Sequence, residues 1–428
     1  MKFKSYSFKE LLSNIVDNRG KTCPVGDTGL PLIATNCIKE HSLYPVFEKV
    51  RYVSDETYNN WFRGHPQPGD MIFVCKGSPG RVNWVPDPVN FCIAQDMVAI
   101  RADTTKVYPK YLFALLRSQT SQQKILNMHV GSLIPHFKKG DFGNLYFELP
   151  EDLEYQKKVG DAYFDFCLKI ESNTQTNQTL EQMAQAIFKS WFVDFDPVKA
   201  KMNGEQPEGM DEATASLFPE KLVESELGLI PEGWEITDID NATSKVFSGG
   251  TPSTKNESFW GGELPWFSSG ETRNNFIIET EKHITQEGVD GSSTKAATYG
   301  DVLIASAGQG YTRGQTSFNS INCYINQSVV ALRASDCVSP YWLYYCLERR
   351  YDEMRSVSDS HSSRGSLTTK LLKALPIAKP SKDIVNAFDA IVESLVRKQI
   401  ANAKQNKELS LLRDTLLPKL LSGGITLD

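Results

Sequence analysis

The sequence predicts an α+β fold: two repeated α/β modules separated by two long coiled-coil helices, pseudo-twofold symmetric as a whole. Three observations predict it. They are a heptad pattern in mid-chain, a second one near the C-terminus, and a collinear internal repeat linking the two halves.

The mid-chain pattern comes first. Val159, Tyr163, Phe166, Ile170, Asn173, Asn177, Leu180, Ala184, Ile187 and Trp191 fall on one seam. Apolar spacing of four and three held this long is that of a coiled-coil helix. No proline interrupts it, and its one glycine, Gly160, lies near the start. At ~1.5 Å per residue, its ~38 residues make a rod of ~57 Å.

The second pattern runs through Phe388, Val392, Leu395, Gln399, Asn402, Asn406, Leu409 and Leu416. An offset of 229 carries Asn173 to Asn402, Asn177 to Asn406 and Leu180 to Leu409. Both helices are therefore apolar at their ends and polar at mid-length. The pattern alone permits either direction. Antiparallel packing would bring the asparagine layers together and pin the register, the use polar seam residues commonly have. A locally solvated stretch would also place asparagine there.

The third observation is the repeat. GDMIF at Gly69 matches GDVLI at Gly300, an offset of 231. AQDMVAIRA matches NQSVVALRA at 232, VYPKYLFALL matches VSPYWLYYCL at 231, and GSLIP matches GSLTT at 234. Chance similarity would not stay collinear, so one plan is used twice. DMIF, DVLI and the alternating DMVAIRA and SVVALRA read as strands. The segments opening at Pro109 and Pro340 read as helices with proline in the first turn. The expected order is a first module at 1–150, a central helix at 151–195, a connector at 196–232, a second module at 233–379 and a C-terminal helix at 380–423. The connector is acidic and rich in Pro and Gly, yet Trp191, Phe192, Phe195, Leu217 and Phe218 within or beside it call for burial.

Composition sets bounds. The chain has 428 residues, 40% hydrophobic and 23% charged, with a net charge of −6. That is a soluble globular balance, mildly adverse to a stand-alone nucleic-acid binder, although the acids cluster between Lys201 and Asp240. Eight scattered cysteines form no C-x-x-C pair, which speaks against zinc, and six histidines form no cluster, so no metal site is expected. With no signal-peptide pattern and no long apolar run, a cytoplasmic protein with reduced thiols is expected.

Catalytic motifs are missing. There is no phosphate-binding G-x-x-x-x-G-K-[ST] loop, no G-x-S-x-G elbow, no H-E-x-x-H, and no asparagine-proline-proline-aromatic tetrapeptide of amino-methyltransferases. SGGTPSTK has glycines and a lysine at the wrong spacing for a phosphate cradle. No catalytic residues are expected.

What recurs is loops with nucleic-acid chemistry. In the first module the candidates are Asn36, then Lys76, Ser78 and Arg81 in CKGSPGRVN, then Ser132, His136, Lys138 and Lys139 in GSLIPHFKKGD. In the second they are Thr251, Ser253 and Lys255 in SGGTPSTKN, and Ser269 and Arg273 in SSGETRNN. Gln309, Tyr311, Thr312 and Arg313 in AGQGYTRGQ, and Arg364 in SHSSRGS, complete the set. Glycine admits close backbone approach. Arg, Lys, Asn and Gln reach base edges, while Ser, Thr, Lys and backbone N–H groups hold phosphates. Arg81 and Arg313 follow corresponding strands. Each of these residues could equally belong to an ordinary polar turn; their recurrence in matching places is what favours a site.

At these residues the chain resembles the DNA-specificity subunit of Type I restriction–modification enzymes. The resemblance is carried by FSGGTPSTKNESFWGGELPWFSSGE from Phe247, LGLIPEGWE from Leu227, and the mid-domain pattern GDVLIASAG…RGQTSF…INQSVVALRA. PEDLEYQKKV, TLEQMAQAIFKSWFVDFDPV and LLRDTLLPKLLSGGI, at the helix ends, carry it further, so it covers essentially the whole chain. KPSKDIVNAF, where the second helix begins, departs by lacking glutamine, which leaves its start open.

The resemblance implies two target-recognition domains, each reading half of a bipartite, asymmetric double-stranded DNA site, with two long antiparallel coiled-coil helices between them as a spacer ruler. It implies two methyltransferase subunits carrying S-adenosylmethionine and two motor-nuclease subunits using ATP and Mg²⁺, so this chain is expected to be non-catalytic and to hold no cofactor. Two other readings compete. A stand-alone methyltransferase or nuclease would bind S-adenosylmethionine or cleave DNA unaided. A repeat-built protein scaffold would show no sequence-dependent DNA binding.

Overall fold

The computed structural model describes residues 2–18, 21–128, 135–308, 310–361 and 365–425. Contacts divide the chain into two units, Met1–Thr174 with Gln405–Asp428, and Gln175–Lys404. The division cuts both long helices, Leu153–Phe192 and Lys382–Leu421, at mid-length. Each unit is therefore one α/β module plus half of each helix.

In the first unit a four-stranded antiparallel sheet has the order Leu12–Val16, Met97–Ala102, Met71–Val74, Val82–Trp84. A three-stranded sheet of Arg51–Val53, Leu30–Ile33 and Cys92–Ile93 lies elsewhere in the unit. Phe3–Ser7 pairs antiparallel with Tyr146–Pro150, closing the module on itself. Pro109–Arg117 buries Tyr111 to Leu116. The core is aromatic: Phe8 lies 4.7 Å from Phe142 and 5.4 Å from Phe73, ring centre to ring centre.

The mid-chain helix starts where Asp152 Oδ1 accepts from the N–H groups of Glu154 and Tyr155 (2.9 and 3.2 Å), the usual cap for otherwise unpaired first-turn donors. Gly160 is required by close approach, because a Cβ there would lie 2.5 Å from Tyr111 N. In this unit the helix runs antiparallel to residues 405–421: Tyr155 Oη donates to Leu420 O (2.7 Å), and Asn173 Nδ2 to Asn406 Oδ1 (2.9 Å). Its buried face is wider than a two-helix seam. Tyr155, Val159, Tyr163, Phe164 and Cys167 are buried while Phe166 and Ile170 are half-buried, because the helix packs on its module as well as on its partner helix.

The second unit repeats this order. Its five-stranded sheet runs Thr243–Ser248, Val329–Ala334, Val302–Ala305, Thr316–Asn319, Phe276–Ile277. A four-stranded sheet runs Lys282–Ile284, Trp260–Phe267, Cys323–Ile325, Lys295–Ala297. Glu235–Asp238 pairs with Pro376–Lys379 as the first unit's terminal strands do. Even an irregularity recurs. The sheet register slips between Leu12 and Asn14 and again between Thr243 and Lys245. In each slip a serine bonds across the sheet, Ser13 Oγ to Ala102 O and Ser244 Oγ to Ala334 O, both 3.0 Å.

Here the mid-chain helix packs antiparallel to residues 382–404: Phe188 lies 5.7 Å from Phe388, and Asn402 Nδ2 donates to Asn177 Oδ1 (2.8 Å). The C-terminal helix starts at Lys382, capped by Ser381 Oγ, which accepts from Ile384 N (3.4 Å). The first helix instead has Gln156, buried, donating to Pro150 O (2.8 Å) and accepting from Tyr108 N (2.8 Å). Val385 stands at the matching place, so apolar burial replaces those bonds. The connector carries short helices at Asp196–Met202 and Glu212–Ser216 and a hairpin of Leu222–Ser225 with Gly228–Pro231. Phe218 is buried 5.3 Å from Trp191, whereas Leu217, expected inside, is exposed.

Candidate nucleic-acid interface

Each module orders its loops from a buried acid. Gly69, at φ +85°, turns the chain so that Asp70 Oδ2 accepts from Gln67 N (2.8 Å). Arg101, on the neighbouring strand, donates to both oxygens of that carboxylate (2.7 and 3.0 Å). In the second unit Gly300 has φ +87°, Asp301 Oδ2 accepts from Thr298 N (2.8 Å), and Arg333 donates to both oxygens (2.7 Å each). These hydrogen bonds raise both guanidinium pKa values further. A second anchor also recurs. Asn83, buried, donates to Lys39 O and Ser42 O (2.9 and 2.6 Å), while the buried Ser317 hydroxyl donates to Asn274 O (2.7 Å).

From this frame the loops are gathered. In the first unit Lys76 N donates to Asp96 O (3.2 Å), Gly77 N to Pro135 O (2.9 Å), and Phe137 N to Cys75 O (2.9 Å). These bonds bring Lys76 opposite His136, with Lys138 and Lys139 next along the chain. Lys76, Lys138 and Lys139 are exposed, and Lys139 pairs with Asp17. Ser78 and Arg81 are half-buried. Asn36 is exposed but sits apart, beyond the three-stranded sheet, donating to Glu48 O. Ser132 lies outside the described residues. Burial pushes the Cys75 thiol up to about 12, so it stays protonated at neutral pH.

The second unit gathers its loops by the same bonds. Ser306 N donates to Ser328 O and Leu367 N to Ser306 O, both 2.8 Å. Gly249 and Gly250 lie so close to the sheet that a Cβ would stand 1.8 Å from Ile325 O or 2.1 Å from Ser293 Oγ. That places Thr251 against Gln327, with Ser253 and Lys255 exposed beyond it; Ser253 O accepts from Trp260 Nε1 (3.2 Å). Ser269 is half-buried, and Arg273 is exposed, bonded to Gly270 O (2.6 Å) and paired with Glu281. Thr272 Oγ1 donates to Gln315 Oε1 (3.2 Å), joining this loop to the 306–315 loop. Tyr311 is exposed and Thr312 half-buried. Gln309 and Arg364 lie outside the described residues.

Two placements differ from what spacing suggests. Arg313 is 8% exposed, with its guanidinium bonded to Gly365 O and Asp359, so it holds the loop from inside. Nor does it match Arg81. Gly80 N donates to Val74 O (3.0 Å) and Gly314 N to Ala305 O (2.9 Å), which makes Gln315 the counterpart of Arg81. Spacing fails here because the second loop is longer. Sequence reasoning also passed over Tyr351 and Arg355, whose helical setting gave no signal, although they bond to Tyr311 O and Arg313 O.

The result is two clusters of lysines, hydroxyls, amides and close-packed glycines, a set able to bond to phosphates and base edges. Among the described residues no group of three or more His, Cys, Asp or Glu could hold a metal ion, and no helix is long and apolar enough to cross a membrane.

The model of the Type I restriction modification DNA specificity domain matches residues 30–182 and again residues 231–410. The chain belongs to this family. A Type I specificity chain is thus built here from two copies of the domain, and DNA sequence specificity in a restriction–modification system is the role that membership assigns. It is 29% identical over 404 residues to the Type I restriction enzyme HindI specificity subunit of Haemophilus influenzae, covering 83% of this chain and 86% of that one. It is 23% identical over 322 residues to the Type I restriction enzyme MjaIX specificity subunit of Methanocaldococcus jannaschii, covering 75% and 70%. Its fold is similar to the crystal structure of the Type I restriction–modification S subunit from M. genitalium, with TM-score 0.64 and 16% identity over 98% of this chain and 96% of that one.

Proposed function

We propose that this chain is the non-catalytic, sequence-reading subunit of a Type I restriction–modification complex, each module reading one half of a bipartite, asymmetric site in double-stranded DNA. The observation that carries this reading is the twice-used frame with differing loops. The Asp70–Arg101 and Asp301–Arg333 pairs and the bulge serines are shared, while the loop residues above differ in length and type. Two readers on one scaffold with unlike tips suit two unlike half-sites. Phosphate contacts from Lys76, Lys138, Lys139 and Lys255 would fix position, and amides and hydroxyls would read base edges.

The two long helices, each shared between both units, set the number of unread base pairs between the half-sites. The asparagine layers Asn173–Asn406 and Asn177–Asn402 fix the register of that ruler. Methyltransferase subunits supply S-adenosylmethionine, and motor-nuclease subunits supply ATP and Mg²⁺ chemistry, in the cytoplasm. The relatives named above as specificity subunits support such an assembly.

The test is methylation mapping in a host that expresses this chain with its methyltransferase. Exchanging residues 1–150 for another module should change one half of the methylated motif, and inserting four residues near Asn177 should change only the spacer. A motif altered in both halves or in neither by the exchange would refute the two-reader assignment.

A further inference from the structure

Tyr311 combines a fixed backbone with a free ring. Its side chain is 79% exposed, more than any other large hydrophobic among the described residues. Beneath it the chain is tied down. Tyr351 Oη donates to Tyr311 O (2.7 Å), and Arg355 Nη1 donates to Arg313 O (3.3 Å) and to Tyr351 Oη (3.2 Å). The Arg355 guanidinium lies 5.5 Å from the centre of the Tyr351 ring, and the Arg313 guanidinium holds Gly365 O and Asp359. Gly310, at φ +75°, makes the turn just before the tyrosine. A loop needing only solubility would carry a polar tip. This one holds an aromatic ring in water on a base stiffened from the helix Tyr351–His361.

The corresponding loop of the first unit has no equivalent. Between Val74 and Gly80 five residues span the loop, against eight between Ala305 and Gly314, and the shorter loop contains no aromatic residue.

We propose that Tyr311 is a stacking wedge, entering the base stack of the half-site read by the second unit at the step that opens when the target base turns out toward the methyltransferase. An aromatic face suits any base, and a ring held in advance loses little freedom on stacking. Apolar wedges of this kind partly unstack base steps, and chemistry on a base requires the base to leave the stack. The proposal rests on the reading of this unit as a half-site reader. It adds that duplex distortion is unequal, with an aromatic wedge from this loop in one half only.

The experiment uses the full chain in complex with its methyltransferase, and duplexes carrying the mapped site with 2-aminopurine at a step in one half or the other. The exchange of residues 1–150 identifies which half belongs to which unit. Wild type should raise fluorescence in the second unit's half, and Tyr311→Phe should match it. Tyr311→Ala should lose the signal and slow methylation of that half by about ten- to a hundredfold, the factor one lost base–aromatic stack implies. The other half and the melting temperature should stay unchanged, since the ring is exposed. Tyr351→Phe, which frees Tyr311 O, should weaken the signal partially. Full signal and full rate in Tyr311→Ala would overturn the wedge. So would an equal loss of binding to specific and scrambled duplexes without a change in fluorescence, which would make Tyr311 an ordinary contact. A wild-type complex that does not distinguish those duplexes would instead remove the half-site reading itself, and the wedge with it.

Discussion

Asp301 and Arg333 meet through two hydrogen bonds of 2.7 Å across neighbouring strands, with the carboxylate 1% exposed and the guanidinium reaching solvent. The same pair stands in the first unit as Asp70 and Arg101. A carboxylate this buried is tolerated because its oxygens are bonded by Arg333 and by Thr298 N.

Removing the arginine should therefore cost more than removing the carboxylate, because it strands the buried charge, whereas Arg333 already reaches water. Asp301→Ala leaves Thr298 N and the guanidinium without their acceptor, and should destabilise the second unit by about 2–3 kcal/mol. Arg333→Ala leaves a buried carboxylate with only Thr298 as donor, and should cost about 3–5 kcal/mol. Urea unfolding of the two variants measures both; a smaller cost for Arg333→Ala than for Asp301→Ala would contradict this account.

The asparagine layers couple two helices in each unit. Asn177→Leu strands the amide of Asn402, which is 2% exposed, and should cost about 1–3 kcal/mol. The double change Asn177→Leu with Asn402→Leu should recover much of that, because two apolar groups leave no donor unpaired. A double-mutant cycle measures the coupling, and strictly additive costs would show that the layer is merely solvated. With register less strictly specified, methylation mapping on the double variant should detect more than one spacer length.

Asp389 predicts a pH dependence. Burial raises its carboxyl to about 6, and Ser339 Oγ donates to it (2.6 Å). Its folded pKa thus stands above the unfolded value of ~3.9. The favourable contribution is complete below that unfolded value and is lost as pH rises through about 6. Asp389→Asn should remove this loss, so the melting temperature of the variant should gain on wild type between pH 5 and pH 7.5. A constant difference across that range would refute the assignment.

Exposed and buried cations should separate cleanly. Lys76→Ala, Lys138→Ala and Lys255→Ala should leave the melting temperature within experimental scatter. Each phosphate contact they lose should reduce the salt dependence of DNA binding, by about 0.9 in the logarithmic slope. Arg313→Ala should instead lower the melting temperature, because Gly365 O and Asp359 lose their donor. Binding assays at several salt concentrations, with thermal unfolding alongside, decide between the two behaviours.

Helix extent, duplication and family were legible in the sequence. A heptad seam and a collinear repeat are patterns of residue type against position, and burial of a helix face or a strand face imposes them locally. The motifs from Phe247 and Leu227 added the family. Position along the chain does not say which polar group meets which. Arg313 and Lys255 lie in similar glycine-rich loops, yet one is buried under Gly365 and the other stands in water. Spacing matched Arg313 to Arg81, whereas backbone bonds match Gln315, because insertions within a loop shift numbering without disturbing the sheet.

The amino-acid order by itself determined that two like modules alternate with two long helices polar at mid-length. The tertiary structure alone decided the partners: Asn173 with Asn406, Asn177 with Asn402, Lys76 beside His136, and the backbone of Tyr311 under Tyr351. The reason is physical. Apolar burial depends on a side chain's own size and polarity and so leaves a local trace, whereas a hydrogen bond depends on a second group that can lie hundreds of residues away.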